Sequence, residues 1–481
     1  MRASVSLITL WALWAASASA SASAAGDVCG NTCNLCRFGD EVIHRDVVVV
    51  GGGASGTYSA IRLQDLGASV VLVERDGRLG GAQNTFIDPA SGVAVDYGVQ
   101  GFANTSVTVN FFKRYGIPIE PFVFGGDNTT YVDFDTGAVA ANYTPNFNFS
   151  AYAAFLERWP DAAPSGFSWI PYPVPEDLLL PFGDFIEKYD LQEQAWVIWW
   201  IANGVANPPL LEQTTLNVMK YFDSVFINAV AYSGPGSAGV PDMTTSNHDN
   251  GALYAAAHAE LGDDNVLLES TVVSAQRSAE GVELAVATPD GAVKHVRAAR
   301  LVLCMPLTPG NMEPFGLDAA ERRVFSRFTH SAFYAGVVNT TGLVAGQKYR
   351  NIKLGARYNI PPNGMYEILP TAVPGMFMYW FAYQAEQTQA AVEADAAAVV
   401  ARLENGTGVA VNFPAFSSHS PFKLQVGAVD IANGFYKDFL ALQGQKSTWF
   451  AGSAILTHNS GELWNFTHYL MPDVVAGLWD D

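Results

Sequence analysis

Residues 46–81, DVVVVGGGASGTYSAIRLQDLGASVVLVERDGRLGG, carry the clearest hydrophobic pattern in the chain. Asp46 to Val50 is one acid followed by an unbroken apolar run, as expected of a short strand buried on both faces of a parallel sheet. From 54 to 66, Ala54, Tyr58, Ile61 and Leu66 recur at helical spacing, and Gly67 is placed to end that helix. Ser69 to Glu74 is a second strand, so the segment predicts a βαβ unit. Residues 265–307 follow another rhythm, short alternating runs broken at Glu280-Gly281 and Asp290-Gly291. They predict a small antiparallel sheet returning to a core strand at Leu301 to Cys304. Residues 448–456, TWFAGSAIL, read as a last strand with a glycine turn, and 460–479 as a closing helix.

The intervening segments differ. Residues 106–240 are rich in aromatics and proline, and 311–446 mix strand-like runs with an alanine-rich helix at 384–404. The predicted fold is α/β: a Rossmann-like nucleotide-binding domain, parallel sheet plus small antiparallel sheet, with an inserted α+β substrate domain. The first domain is assembled from 44–105, 241–310 and 447–481, the second from 106–240 and 311–446.

Gly51-x-Gly53-x-x-Gly56 has the dinucleotide spacing. Gly51 permits the tight turn, Gly53 lets backbone approach a pyrophosphate, and Gly56 allows close packing of helix on strand. Ala54 and Ser55 open the helix, whose free N–H groups attract phosphate. Glu74, 23 residues after Gly51, stands where a carboxylate accepts from ribose hydroxyls. Arg75, Arg78 and the pair Gly80-Gly81 follow, allowing a second loop to approach an extended dinucleotide. Residues 96–101, DYGVQG, add Gly98 and Val99 as backbone that could lie against a ring.

This order resembles the flavin amine oxidase superfamily. The resemblance implies FAD, with Val272 contacting adenine through its backbone and Phe450-Ala451-Gly452, followed by Ser453, packing against the flavin. A closer resemblance, in RDVVVVGGGASGTYSAIRLQDLG, DPASGVAVDYGV and GSAILTHNSGELWNFTHYLMP, is to secreted fungal FAD-dependent oxidoreductases related to beta-cyclopiazonate dehydrogenase. It implies two-electron oxidation of a small organic molecule, often in secondary metabolism. Departures are also visible: Ala82 follows the glycine pair where amine oxidases carry Arg, and Ser453 stands in place of Glu. FSRFTHSAFYAGVV lacks the lysine that many of them place near flavin N5. GGAQNT offers no His or Cys to tether the flavin, so FAD is expected without a covalent bond.

The expected partners are a small apolar or aromatic substrate and an electron acceptor, O2 or another small molecule. A double-bond isomerase of an unsaturated lipid, a flavin amine oxidase and an inactive flavin-binding protein are the alternatives. His330, Tyr334 and His458 are candidate bases by position, each with a structural role as the competing reading. Trp196, Trp199 and Trp200 read as a buried helix face or as a pocket wall; Tyr379, Trp380 and Tyr383 carry the same ambiguity.

Arg2 followed by an apolar core at Val5 to Ala16 and an Ala/Ser run makes residues 1–25 a secretory leader, an uncleaved anchor being the alternative. Residues 26–43 hold Cys29, Cys33 and Cys36, which suit one local disulfide and one leftover thiol. Cys304 reads as a buried small hydrophobe. No metal site is expected. Sequons stand at Asn104, Asn128, Asn142, Asn148, Asn339, Asn405 and Asn465. Asn104 and Asn465 are placed near the flavin and expected to stay unmodified; N-glycans are expected at some of the other five. A net charge of −20 argues against nucleic-acid binding. No later stretch is long and apolar enough for a membrane span, so the protein is expected to be secreted.

Overall fold

The valine run sits where its pattern puts it, mid-sheet. The structure, a computed structural model, describes residues 42–479 apart from 125–127, 163–165, 203–206, 233 and 405–407. The leader, Cys29, Cys33, Cys36 and the sequon at Asn405 lie outside the described residues. Val42–Val50 pairs in parallel with Val70–Val73 on one side and Val293–Leu303 on the other. Strand periodicity sends Val48 and Val50 into one apolar cluster and Val47 and Val49 into another, with Val71 and Val73, then Val70 and Leu72, dividing the same way. Both faces are therefore covered, which is why no polar residue interrupts the run.

This seven-stranded sheet has the order Thr271–Arg277, Val282–Ala287, Val293–Leu303, Val42–Val50, Val70–Val73, Val266–Leu267, with Thr448–Phe450 also paired to Val293–Leu303. Val293–Leu303 changes partner along its length. Its first six residues run antiparallel to Val282–Ala287, while Leu301 to Leu303 run parallel to Thr448–Phe450. The expected antiparallel sheet and the core strand are thus one continuous element. The last strand is shorter than expected because Gly452, at φ +99°, turns the chain away. The closing helix runs Ser460–Val475.

A second, eight-stranded sheet has the order Asn412–Ser418, Thr329–Asn339, Met376–Tyr383, Gly364–Pro370, Lys348–Asn351, Thr129–Asp133, Ala138–Val139, with Phe422–Gln425 paired to the start of Thr329–Asn339. One face packs against the alanine-rich helix, Gln389–Leu403, through Tyr334, Tyr379, Phe381 and Val400. That helix begins later than expected because Thr388 caps it, accepting from Ala391 N–H at 3.2 Å. The other face joins Trp196, Trp199 and the first sheet's Val48 and Leu301 in one apolar cluster. The region between the two sheets holds the candidate site.

Candidate active site

Gly51 leaves the first strand at φ +97°, a left-handed conformation that suits glycine. A Cβ on Gly56 would fall 1.7 Å from the Gly51 carbonyl oxygen, so the helix Ala54–Asp65 starts directly against the turn. Gly53 caps that helix with no side-chain oxygen on its first amides, and the Ser55 hydroxyl is buried without a hydrogen-bond partner. Free amides, an idle hydroxyl and the positive end of the helix make a seat for an anion. The second glycine loop faces it: Gly80 N–H donates to Gly52 O at 2.8 Å, and a Cβ on Gly81 would lie 3.0 Å from Gly53 Cα. Only glycines allow two loops to close this tightly.

Arg78 holds the second loop by donating to the carbonyls of Leu79 (3.0 Å) and Gly81 (3.1 Å) and to the Asn84 side chain. Glu74 is buried and accepts from Gly52 N–H and, at 2.8 Å, from Asp76 N–H. Burial pushes its carboxyl upward, against the lowering effect of those two amides. Ser270 N–H donates to Glu74 O at 2.9 Å; two residues on, Val272 is buried in the strand Thr271–Arg277 at the far edge of the sheet. A Cβ on Gly98 would be 2.2 Å from Ala82 O, so the DYGVQG segment lies backbone to backbone on the second loop. Val99 O accepts from Asn250 Nδ2 at 3.1 Å. Gly452, with Ser453 after it, packs toward Cys304 O, 3.2 Å from where its Cβ would be. Arg75 is not brought in; its side chain is exposed and faces Asp76 at 3.7 Å. The idle Ser55 hydroxyl, the uncapped helix and the glycine-lined gap fit the pyrophosphate of FAD.

From this seat an aromatic file leads into the second sheet. Trp380 Nε1–H donates to Tyr97 O at 2.8 Å, and Asn84 Nδ2–H donates to His419 Nε2 at 2.8 Å. His419 stacks on Phe333 (5.8 Å between centroids), Phe333 on Phe422 (4.8 Å), Phe422 on His458 (4.1 Å) and His458 on Tyr221 (5.2 Å). Burial and the Arg78 charge bring His419 down to about 4, so it is neutral. His458 is held far below the usual histidine value by burial, then by Lys220, Lys423 and His419. Its Nε2 accepts Lys423 N–H at 3.1 Å, which leaves the proton on Nδ1. Of the three candidate bases, His458 alone joins this file, and one nitrogen is already committed.

Tyr334 lies on the opposite face of its strand. Its hydroxyl donates to Gln387 O at 3.0 Å and accepts Gln387 N–H at 2.6 Å, against the alanine-rich helix. Its neighbour Phe333, one residue earlier, faces the file, as strand alternation requires. His330 is half-buried near the strand's start, 3.4 Å from Ser331 O. Tyr334→Phe is therefore expected to leave kcat and KM within about twofold while lowering stability by about 1 kcal/mol. Turnover and a thermal melt on the same preparation check this, and a tenfold loss of kcat would return Tyr334 to the chemistry.

The tryptophan helix, Ala195–Ile201, is core: Trp196 Nε1–H donates to Asn351 O at 3.0 Å and Trp199 stacks on Tyr366 at 4.6 Å. Of Tyr379, Trp380 and Tyr383, only Trp380 faces the candidate site; Tyr379 packs on the other face and Tyr383 donates to Asp395 at 2.5 Å. Asn104 lies at the surface. Its side chain is exposed just ahead of the helix Ser106–Arg114, because the burial there falls on Phe102 and Ala103. Asn465 is half-buried. Cys304 is half-buried, with its thiol pushed up to about 12 by burial.

Asn84, His419, Tyr221, Lys220 and Lys423 were not singled out from sequence. The two lysines had a usable signal, each standing alone in an apolar or aromatic run, VMKYF and PFKLQV. Lysine is rarely fully buried, so a lysine in such a run signals a charge that the fold must satisfy.

A Rossmann-type anion seat beside an aromatic-walled second sheet defines a dinucleotide-dependent flavoprotein. Residues 49–115 match the family described as NAD(P)-binding Rossmann-like domain. The chain is 38% identical over 91% of its length to the FAD-dependent oxidoreductase pigF of Monascus ruber, covering 94% of that protein. It is 31% identical, over 91% of the chain and 94% of the relative, to beta-cyclopiazonate dehydrogenase of Aspergillus oryzae. It belongs to the FAD-dependent oxidoreductase family that contains them. Its fold is similar to a fatty acid isomerase from P. acnes (TM-score 0.70, 17% identity, 89% of this chain and 98% of the other). It is likewise similar to a putrescine oxidase double mutant (TM-score 0.65, 15% identity, 91% and 100%). The protein is an enzyme, its cofactor is FAD, and among the described residues no helix is long and apolar enough to cross a membrane.

Proposed function

We propose that this enzyme is secreted and oxidises a small apolar or aromatic molecule by two electrons, with O2 or another small acceptor taking them onward. The same reading divides the chain into an FAD-binding domain (44–105, 241–310, 447–481) and a substrate domain (106–240, 311–446). It assigns N-glycans to some of Asn128, Asn142, Asn148, Asn339 and Asn405. The observation that carries the substrate class is the file Phe333, Phe422, His458, Tyr221, which leads from the second glycine loop toward the Gly452 turn. FAD, when bound, supplies a two-electron acceptor for hydride.

The chain's own part is to hold, orient and keep water out. Gly51, Gly53, Ala54, Ser55 and Gly56 would hold the pyrophosphate, and Gly80, Gly81, Gly98, Val99, Gly452 and Ser453 would line the rest by backbone. Stacked rings give an apolar substrate flat, dry walls. His458, neutral and bonded through Nε2 to the strand it packs on, fixes the position of Phe422.

The test is the visible spectrum of the purified protein during anaerobic addition of amines, alcohols, indoles and unsaturated acids. Bleaching of the yellow flavin absorption by one of these supports the reading. Turnover with no bleaching and no acceptor consumption would assign it to isomerisation. Acid precipitation is expected to release the yellow colour; colour kept in the pellet would contradict a non-covalent flavin.

A further inference from the structure

Asn84 is where the second glycine loop, the DYGVQG segment and the second sheet meet. Its backbone carbonyl accepts Tyr97 N–H at 2.9 Å and Gly98 N–H at 3.2 Å, and its side chain reaches His419 at 2.8 Å. His419 follows the strand Asn412–Ser418 and is held to the neighbouring strand, its own N–H donating to Phe333 O at 2.8 Å. An imidazole of the second sheet is thus brought directly against backbone expected to line FAD.

The orientation of that imidazole is set from outside it. Asn84 Oδ1 accepts from the Arg78 guanidinium, and Nδ2 donates to Ala82 O at 3.0 Å. A guanidinium only donates and a carbonyl only accepts, so these two neighbours decide which way the amide faces. The remaining Nδ2 hydrogen points at His419, whose Nε2 must therefore be the acceptor. The ring is neutral, brought down to about 4 by burial and then by the Arg78 charge, so its one proton sits on Nδ1. Arg78 fixes Asn84, and Asn84 fixes the His419 tautomer.

Nothing among the described residues is hydrogen-bonded to that Nδ1. The ring is half-buried, as are Gly53, Gly81, Ala82, Val99 and Trp380. Residues this deep between two sheets that keep part of their surface mark the cleft which cofactor and substrate would share. Other polar groups nearby are already engaged: Trp380 Nε1–H donates to Tyr97 O, and His458 Nε2 accepts Lys423 N–H. With Nε2 committed and Nδ1 carrying the proton, His419 cannot take a proton from a substrate at Nδ1. It can donate a hydrogen bond there.

We propose that His419 is the polar contact of the substrate site, donating from Nδ1–H to a carbonyl oxygen carried by an otherwise apolar or aromatic substrate. A carbonyl needs only a donor. A hydroxyl or amine also brings a hydrogen of its own, which the rings of Phe333 and Phe422 beside His419 accept poorly. The inference rests on the oxidoreductase reading above and adds one atom of the substrate to it. No proton changes place in this contact; it selects and orients.

The experiment titrates acetophenone and isopropenylbenzene, in which a methylene replaces the carbonyl oxygen, into the yellow holoenzyme, following the flavin absorption. The ratio of the two affinities is compared between variants, so that the probes' different partition from water cancels. His419→Phe, which keeps a ring on Phe333, is expected to lower the acetophenone preference about tenfold. His419→Gln can accept from Asn84 through Oε1 and donate through Nε2, and should recover most of it. An unchanged ratio in His419→Phe, no recovery in His419→Gln, or no binding of acetophenone would each overturn the contact. Isotope-labelled histidine observed by NMR, with His419→Phe identifying the signal, should place the proton on Nδ1 without any ligand; a proton on Nε2 would also overturn it. Substrate bleaching of the flavin would be untouched by those results. Conversely, a ratio that depends on His419 in a holoenzyme that no organic substrate reduces would retain the contact and remove the oxidoreductase reading.

Discussion

Gly56→Ala will give a protein that is folded poorly and carries no flavin. The added methyl carbon has nowhere to go: its ideal position is 1.7 Å from Gly51 O and 3.3 Å from Cys304 Cβ. The near contact is backbone, so relief requires moving the helix Ala54–Asp65 off the strand Val42–Val50. That shift would withdraw Ser55 and the first-turn amides from the pyrophosphate seat and open the packing of Thr57, Ser59 and Ala60, all buried. Overpacking typically costs about 1–3 kcal/mol, and a clash with main chain falls at the upper end or beyond. The measurement is the ratio of the visible flavin absorbance to the ultraviolet protein absorbance in purified protein, beside a thermal melt. Gly67→Ala is the control: nothing lies within 4 Å of its Cβ position, so only its φ of +93° is penalised. A yellow Gly56→Ala protein with unchanged melting would refute the close-packed turn.

Glu321→Ala is expected to cost about 3–5 kcal/mol by stranding a buried charge. Arg277 is 1% exposed in its side chain, with Nη1 2.9 Å from Glu321 Oε1 and Nη2 donating to Oε2 at 3.0 Å. Lys446 Nζ adds a contact to the same carboxylate at 2.8 Å. The pair joins the edge strand Thr271–Arg277 to the helix Ala319–Phe325, whose capping box uses Glu321 as well. Burial acts to raise the Glu321 carboxyl, but the hydrogen bonds from Arg277 and Lys446 outweigh it and the net shift is downward. A carboxylate held below its unfolded value stabilises the fold above the unfolded pKa, and that contribution is lost as pH falls through the folded value. Wild type should therefore lose stability on acidification below about pH 4.5 more steeply than Glu321→Ala. Melting temperatures from pH 3.5 to 7 (approximate working limits,) check both; equal slopes would deny the ion pair its role.

The two experiments probe different parts of the chain's legibility. Gly56 belongs to a segment whose strand, helix and turn were all readable, because each rests on local rules: a period-2 run, a period-3.6 run, and glycine where the backbone needs it. The antiparallel sheet and its return strand were readable for the same reason. The ends of elements were less so. The last strand stops at Phe450 and the alanine-rich helix starts at Gln389, where a glycine turn and a threonine cap decide.

Candidate bases fared differently. Tyr334 was chosen by position along the chain, but strand alternation faces it toward Gln387, and Phe333 takes the place beside His419.

The sequence by itself determined the cofactor seat, since glycine spacing, helix start and terminal acid all lie within 31 residues, from Gly51 to Gly81. Tertiary structure alone decided the substrate side. Asn84 meets His419 across 335 positions, and Lys220 meets Leu424 across 204. Such contacts follow from how two sheets pack, which no local periodicity encodes. A lone lysine in an apolar run signals that something must receive its charge; only the folded chain places it among carbonyls and rings.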